Sequence, residues 1–351
     1  MKLVTFQLQT QIGQFNRIGA LIDGDENGRI VDLTSSYHHY LTVETDEPLP
    51  GEVAQLRLPP DMTGWLRGGS KSFAAAEETI AYVNGLLKSD KNPRGLGNAQ
   101  LVFNRAEVKL LAPVPRPHSI RDFTTYFQHM SQATPPIPRR PAWYRNPPYY
   151  KGNPDTVCGP EDPIPFPYYT ERLDLEFELG IIIGKEGRNL TFEEAKDHIA
   201  GYTIFVDSTC RDGNAREPFG PTKRKDFNSV LGPCLVTPDE IDESNIDIKL
   251  SVDGDIWYEG NTNLKRSFDP HHLVAYASDN ETIYPGDVMG TGTIGLCCAV
   301  DLDKWIQVGQ TATFEAAGLG TLVHEVVAGE HVVDHINGMD GLLQKPEEME
   351  S

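Results

Sequence analysis

The chain of 351 residues is 39% hydrophobic and carries a net charge of −20 at pH 7. That length and apolar content suffice for a sizeable core and point to two domains. The acidic excess argues against nucleic acid or an anionic membrane as a partner, but not against a small anionic substrate held by a metal ion and a few cationic side chains. The five cysteines, Cys158, Cys210, Cys234, Cys297 and Cys298, show no CxxC spacing and an odd count. Neither a zinc knuckle nor a complete disulfide framework is indicated, and a reducing cytoplasm is the expected compartment. Met1 to Gln11 alternates like a strand and lacks the apolar stretch of a secretory signal, and no run reaches membrane-spanning length.

The first part, 1–112, reads as a small α+β domain. Strands are expected near Val4 to Leu8, Ile18 to Ile22 and Arg29 to Leu33, with turn chemistry from Asp23 to Gly28. A helix from about Ser72 to Leu87 follows, with Ser70 or Ser72 as its cap. No motif here carries chemistry, so packing and support of a homodimer are its expected roles. Ala112-Pro113-Val114-Pro115-Arg116-Pro117 interrupts any regular element and marks the boundary. Beyond it, Ser119 caps a short expected helix in which Ile120, Phe123, Phe127 and Met130 recur near helical spacing. Residues 135–167 hold 11 of the chain's 26 prolines, which predicts an ordered extended loop or a lid rather than a helix or central strand. Thr191 and Glu194 form a capping box for a helix to about Ile199, and Asp269-Pro270 opens another to about Ser278. The remainder alternates short strands with Gly and Pro turns, as in a rolled β-structure with a few helices, so the fold class is mixed α/β and mainly β.

Within that remainder, apolar and acidic residues alternate strictly from Leu173 to Leu179, the period of a half-buried strand. Glu176 and Glu178 share one face, about 7 Å apart at a rise of ~3.4 Å per residue, within reach of one ion. A second strand-like run, Tyr202 to Val206, ends in Asp207 and offers a third oxygen ligand. Such a carboxylate set suits magnesium, manganese or calcium, whereas zinc recruits His or Cys. On the strand alone, a solvated acidic face is the plainer expectation. Asp122 and His129, seven residues apart on the expected helix, fall on one face, displaced by about 10.5 Å along the axis. A lone histidine there would ordinarily be a surface or satisfied core residue.

Three further segments shift the balance: Gly201 to Asp212, Lys225-Asp226-Phe227, and Gly286-Asp287-Val288-Met289-Gly290-Thr291-Gly292-Thr293. In this order and spacing, with the acidic strand, they resemble the fumarylacetoacetate hydrolase family from about Ser119 to Val327. The resemblance implies a catalytic domain over 118–345 with that family's rolled β-structure. It implies a divalent ion, magnesium by expectation with calcium or manganese as alternatives, held by Asp122, Glu176, Glu178 and Asp207. His129 takes the place of the general base, and Glu315, in Thr313-Phe314-Glu315-Ala316, that of the acid which orients it. Arg211, Asn214 and Lys225 fall where the family stabilises the charge on an attacked carbonyl, although the family's namesake carries glutamine in place of Asn214. Tyr150 and Thr293 resemble substrate contacts, whereas Thr124 replaces a tyrosine of the namesake. The loop Thr291 to Gly295 lacks the Gly-Lys-Ser/Thr ending of a phosphate-binding loop, which argues against nucleotide. The expected activity is hydrolysis of a carbon–carbon bond in a 1,3-diketone or acylpyruvate-like acid. The alternatives are a decarboxylase, tautomerase or dehydratase of a 2-oxo acid, and a non-catalytic metal-binding scaffold.

Overall fold

The computed structural model describes residues 1–24, 28–132, 141–212 and 221–330. Strands β1 (Lys2–Thr10), β2 (Gly13–Ile22) and β3 (Arg29–Asp32) form the antiparallel meander that their alternation predicts. Asp32 ends β3 and caps helix α1 (Leu33–Glu44): its carboxylate accepts from the Ser35 amide and pairs with Arg17 at 2.6 Å. Leu33, Tyr37 and Leu41 recur at helical spacing in α1, a signal that the intervening serines and histidines obscure in the sequence. Helices α2 (Pro50–Arg57), α3 (Met62–Arg67) and α4 (Ser70–Leu86) follow, and short strands β4 (Val102–Asn104) and β5 (Lys109–Leu111) return to the meander.

After the proline run the expected single helix is instead a strand, β6 (Ile120–Phe123), followed by a short helix, α5 (Phe127–Gln132). Asp122 therefore lies on the strand and His129 on the helix. All four residues of β6 are buried, and pairing on both edges overrides the helical spacing of Ile120 and Phe123. The proline-rich stretch supplies three short strands, β7 (Tyr149–Gly152), β8 (Val157–Cys158) and β9 (Ile164–Phe166), of which β7 and β9 end their sheets' strand orders, where missing N–H groups cost least. The part of the expected lid at 133–140 lies outside the described residues. The rest of the chain forms β10 (Leu173–Ile183), α6 (Phe192–Lys196), β11 (Ile199–Cys210), β12 (Ser229–Val236), β13 (Asp247–Val252), β14 (Asp255–Asn261), α7 (Pro270–Ala277), β15 (Val288–Gly290), α8 (Ala299–Leu302), β16 (Thr311–Ala316) and β17 (Gly320–Ala328). The expected Thr191–Glu194 capping box is present at α6.

The fold is mixed α/β, with strands predominating. Among the described residues the large sheet runs β4-β3-β2-β1-β12-β11-β10-β15-β6-β7, with β5 beside β1 and β8 beside β12; the smaller runs β14-β13-β16-β17-β9. The residues before the proline run form no sheet of their own, because β1 pairs with β12 and continues the large sheet. Both faces of β10 are buried. Its odd positions, Leu173 to Ile183, join a core shared with the smaller sheet, where Phe177 meets Phe314 edge-on at 5.3 Å. Ile182, on the other face, packs in a second core with Phe205, Trp65 and Leu66. Asp174, Glu176 and Glu178 share the face of Ile182. No helix among the described residues is long and apolar enough to cross a membrane.

Phe314→Ala should lower stability by about 3–5 kcal/mol, since it empties the contact between the sheets without touching the acidic face. Denaturant unfolding measures this, and a loss under about 1 kcal/mol would mean that the two sheets do not depend on one core.

Candidate metal and active site

The antiparallel ladder of β10 and β11 puts Glu176 directly opposite Asp207. On the other edge of β10 comes β15 and then β6, whose Asp122 stands opposite Gly290. A Cβ at Gly290 would collide with the carboxylates of Asp122 and Glu178 and with the Phe205 ring, so only glycine lets the two acids meet across this strand. Carboxylate oxygens of Asp122, Glu176 and Asp207 all lie within 4.8 Å of one another. Glu178 abuts Asp122 and accepts the Gly292 amide at 2.8 Å.

Burial is the largest influence on each of these acids, and it pushes Asp122, Glu178 and Asp207 well above the ordinary carboxylate range. Glu176 differs: burial raises it too, but Arg211, Lys225 and His129 outweigh that and hold it well below. Lys225 touches both Glu176 and Asp207, and Arg211 reaches Glu176 at 2.6 Å. Asp122 Oδ1 and Asp207 Oδ1 are buried without a hydrogen-bond partner among the described residues. An all-oxygen set with two orphaned carboxylate atoms fits a hard divalent cation, so Asp122, Glu176 and Asp207 can hold such an ion, with Glu178 beside them.

Tyr150, on β7, stands opposite Asp122 in the ladder and places its ring 5.2 Å from Lys225 Nζ. Its hydroxyl is buried without a hydrogen-bond partner among the described residues, and burial with nearby Asp207 pushes its pKa well up, so it remains a donor. Thr293 is buried in the loop after β15, which Thr125 pins by donating to the Thr291 carbonyl at 2.6 Å. Asn214 lies outside the described residues. Arg211 does not pair with the adjacent Asp212; it bonds Asp174 at 2.7 Å as well as Glu176.

His129 directs Nε2 toward Glu176 Oε1 at 3.5 Å and Nδ1 toward Asp301 Oδ2 at 3.0 Å. The expected partner, Glu315, is not there. Along β16, Ala312, Phe314 and Ala316 point inward, so Glu315 faces outward, half-exposed, and pairs with Lys249 at 2.5 Å. Asp301 instead sits on α8, eight residues past Thr293 in a segment with no periodic pattern to anchor it. Its one sequence signal is an acid soon after the glycine loop. Asp174 was also not singled out, being hidden in the strand's alternation. It is fully buried, binds Arg211, and accepts the Ala299 and Val300 amides that open α8, so one carboxylate ties β10 to the helix that bears Asp301.

Residues 119–327 match the model of the fumarylacetoacetate (FAA) hydrolase C-terminal family. A mitochondrial oxaloacetate tautomerase of Homo sapiens is 31% identical over 277 residues, 77% of this chain and 81% of that protein. A maleylpyruvate hydrolase from Sphingobium sp. SYK-6, solved with manganese(II) and pyruvate, superposes with a TM-score of 0.65 at 24% identity, covering 94% of this chain and 100% of its own. A 5-carboxymethyl-2-hydroxymuconate delta-isomerase from Mycobacterium smegmatis gives 0.61 at 21%, covering 93% and 100%. Hydrolases, isomerases and tautomerases thus share this architecture, and the chain belongs to the fumarylacetoacetate hydrolase family.

Proposed function

We propose that the protein is a metal-dependent enzyme that interconverts the keto and enol forms of a small 2-oxo acid of the oxaloacetate type. The observation that carries this reading is His129, hydrogen-bonded to Asp301 through one ring nitrogen and turned toward the carboxylate cluster through the other. With its proton on Nδ1 donated to Asp301, His129 keeps a lone pair on Nε2. That nitrogen takes a proton from the carbon next to the oxo group and returns it to carbon or oxygen, while Asp301 stabilises the imidazolium formed in between. A divalent ion, magnesium or manganese by its oxygen donor set, held by Asp122, Glu176, Glu178 and Asp207, would supply Lewis-acid polarisation of the substrate's oxygens. Tyr150 and Thr293 offer hydroxyl donors to the substrate carboxylate, and Lys225 offsets charge at the carboxylate cluster.

Arg211 favours proton transfer over hydrolysis, because its guanidinium is engaged by Asp174 and Glu176 and is not left aimed at a developing oxyanion. The His129–Asp301 pair supports carbon–carbon hydrolysis as the second reading, since the same base can activate water. The two separate in isotopically labelled water. Tautomerisation exchanges the hydrogens beside the oxo group for deuterium and leaves the carbon skeleton whole, followed by NMR. Cleavage with solvent oxygen in a new carboxylate would replace the first reading with the second.

His129→Ala should lower the rate by at least about a hundredfold while the protein still binds the ion, in line with general-base contributions of about 10²–10⁴. Asp301→Asn should lower it by at least about tenfold, whereas Glu315→Gln should leave it unchanged. The opposite ranking of the last two in steady-state kinetics would return the orienting role to Glu315. Glu176→Ala should both abolish ion binding in calorimetry and destabilise the fold by about 3–5 kcal/mol, because Arg211 and Lys225 lose their shared buried anion. Undiminished magnesium binding in that variant would remove Glu176 from the metal site.

A further inference from the structure

Beside the oxygen-only cluster lies a second group of donors with a different chemical character. His129 Nδ1, Cys298 Sγ and a carboxylate oxygen of Asp301 lie within 4.8 Å of one another. The thiol sulfur stands 3.6 Å from Nδ1, and Asp301 Oδ2 stands 3.0 Å from it. Nitrogen and sulfur ligands about 2.0 and 2.3 Å from a tetrahedral zinc ion lie about 3.5 Å apart, so the first distance already matches a shared zinc ion. Asp301 contributes a second, independent sign: its side chain is fully buried, and Oδ1 has no hydrogen-bond partner among the described residues.

We propose that His129, Cys298 and Asp301 form a binding site for a thiophilic divalent ion, zinc or its spectroscopic substitute cobalt, and that filling it switches the enzyme off. Nitrogen, thiolate and carboxylate donors select such an ion over magnesium, just as the neighbouring carboxylates select the reverse. Cys298 and Asp301 are three residues apart at the start of and within α8, so one short helix presents both, and α5 brings the histidine. Binding releases the thiol proton to solvent. Thiolate and carboxylate then balance the two positive charges while the imidazole stays neutral, so the filled buried site carries no net charge. A water completes four-coordination.

The inhibitory effect rests on the proposal that His129 Nε2 is the base. A metal ion on Nδ1 leaves a neutral imidazole its only proton on Nε2, the nitrogen that faces Glu176. The base becomes a donor, and the hydrogen bond to Asp301 is lost to the ion. Zinc acts here without displacing the catalytic ion from its oxygen ligands.

The test uses the full chain saturated with magnesium. Cobalt added to it should produce a thiolate-to-cobalt charge-transfer band at one equivalent, and zinc should abolish both that band and catalysis. Cys298→Ala should keep basal activity, show no band, and raise the zinc concentration needed for inhibition by at least about a hundredfold. Cys297→Ala, which removes the adjacent buried thiol, should retain the band, and Cys298→Ser serves as the closer match in volume should the alanine variant misfold. Absence of the band in the unaltered protein, or zinc inhibition unchanged in both Cys298 variants, would overturn the site. A band with undiminished turnover would keep the ion but overturn the switch, and with it the role of Nε2 as base.

Discussion

Asp122, Asp174, Glu176, Glu178 and Asp207 are packed together at almost no solvent exposure, and the rest of the structure is arranged around making that tolerable. Isolated buried carboxylates cost several kcal/mol each, so they persist only when paired or hydrogen-bonded. Arg211 and Lys225 answer part of the charge, and backbone amides of Gly292, Ala299 and Val300 answer more. The remaining excess of negative charge is what a divalent ion is suited to offset. Glu176 is the pivot, touching both cations and facing His129, and it alone of the cluster's metal-ligand candidates is held ionised well below the usual range.

Rigidity follows from the same arrangement. The acids are borne by β6, β10 and β11, strands in the interior of the large sheet, and not by loops. Asp174 anchors the start of α8 to β10, so the partner of His129 is positioned by the strand that also carries Glu176 and Glu178. The partner of His129 and the carboxylate cluster therefore share one scaffold, which holds them at a set distance from each other.

The N-terminal segment takes on a structural purpose in this light. Its strands lengthen the large sheet, and its helices pack in the core that Phe205 and Ile182 join on the face that also bears the acids further along β10 and β11. The proline-rich segment borders the other side through β7, which brings Tyr150 level with Asp122. Burial of the acids lowers the local dielectric, strengthening each remaining polar contact.

Much of this was legible in the sequence because it depends on local period. Strict alternation from Leu173 to Leu179 set Glu176 and Glu178 on one face, and the Thr191 and Asp269 capping signals located two helices. The motif order carried the family and the neighbourhood of Asp122, Asp207, Arg211 and Lys225. Local pattern failed where long-range pairing decides. Ile120 to Phe123 has helical spacing but is a strand, because β15 and β7 offer it two hydrogen-bonding edges. Asp301, 172 residues from His129, becomes its neighbour only through the packing of α5 against α8, while Glu315, at a plausible place in the chain, is turned outward by the two-residue period of β16. Sequence by itself determined which faces are acidic and which apolar; only the tertiary structure decided which acid meets the histidine, because that choice depends on sheet order and not on spacing.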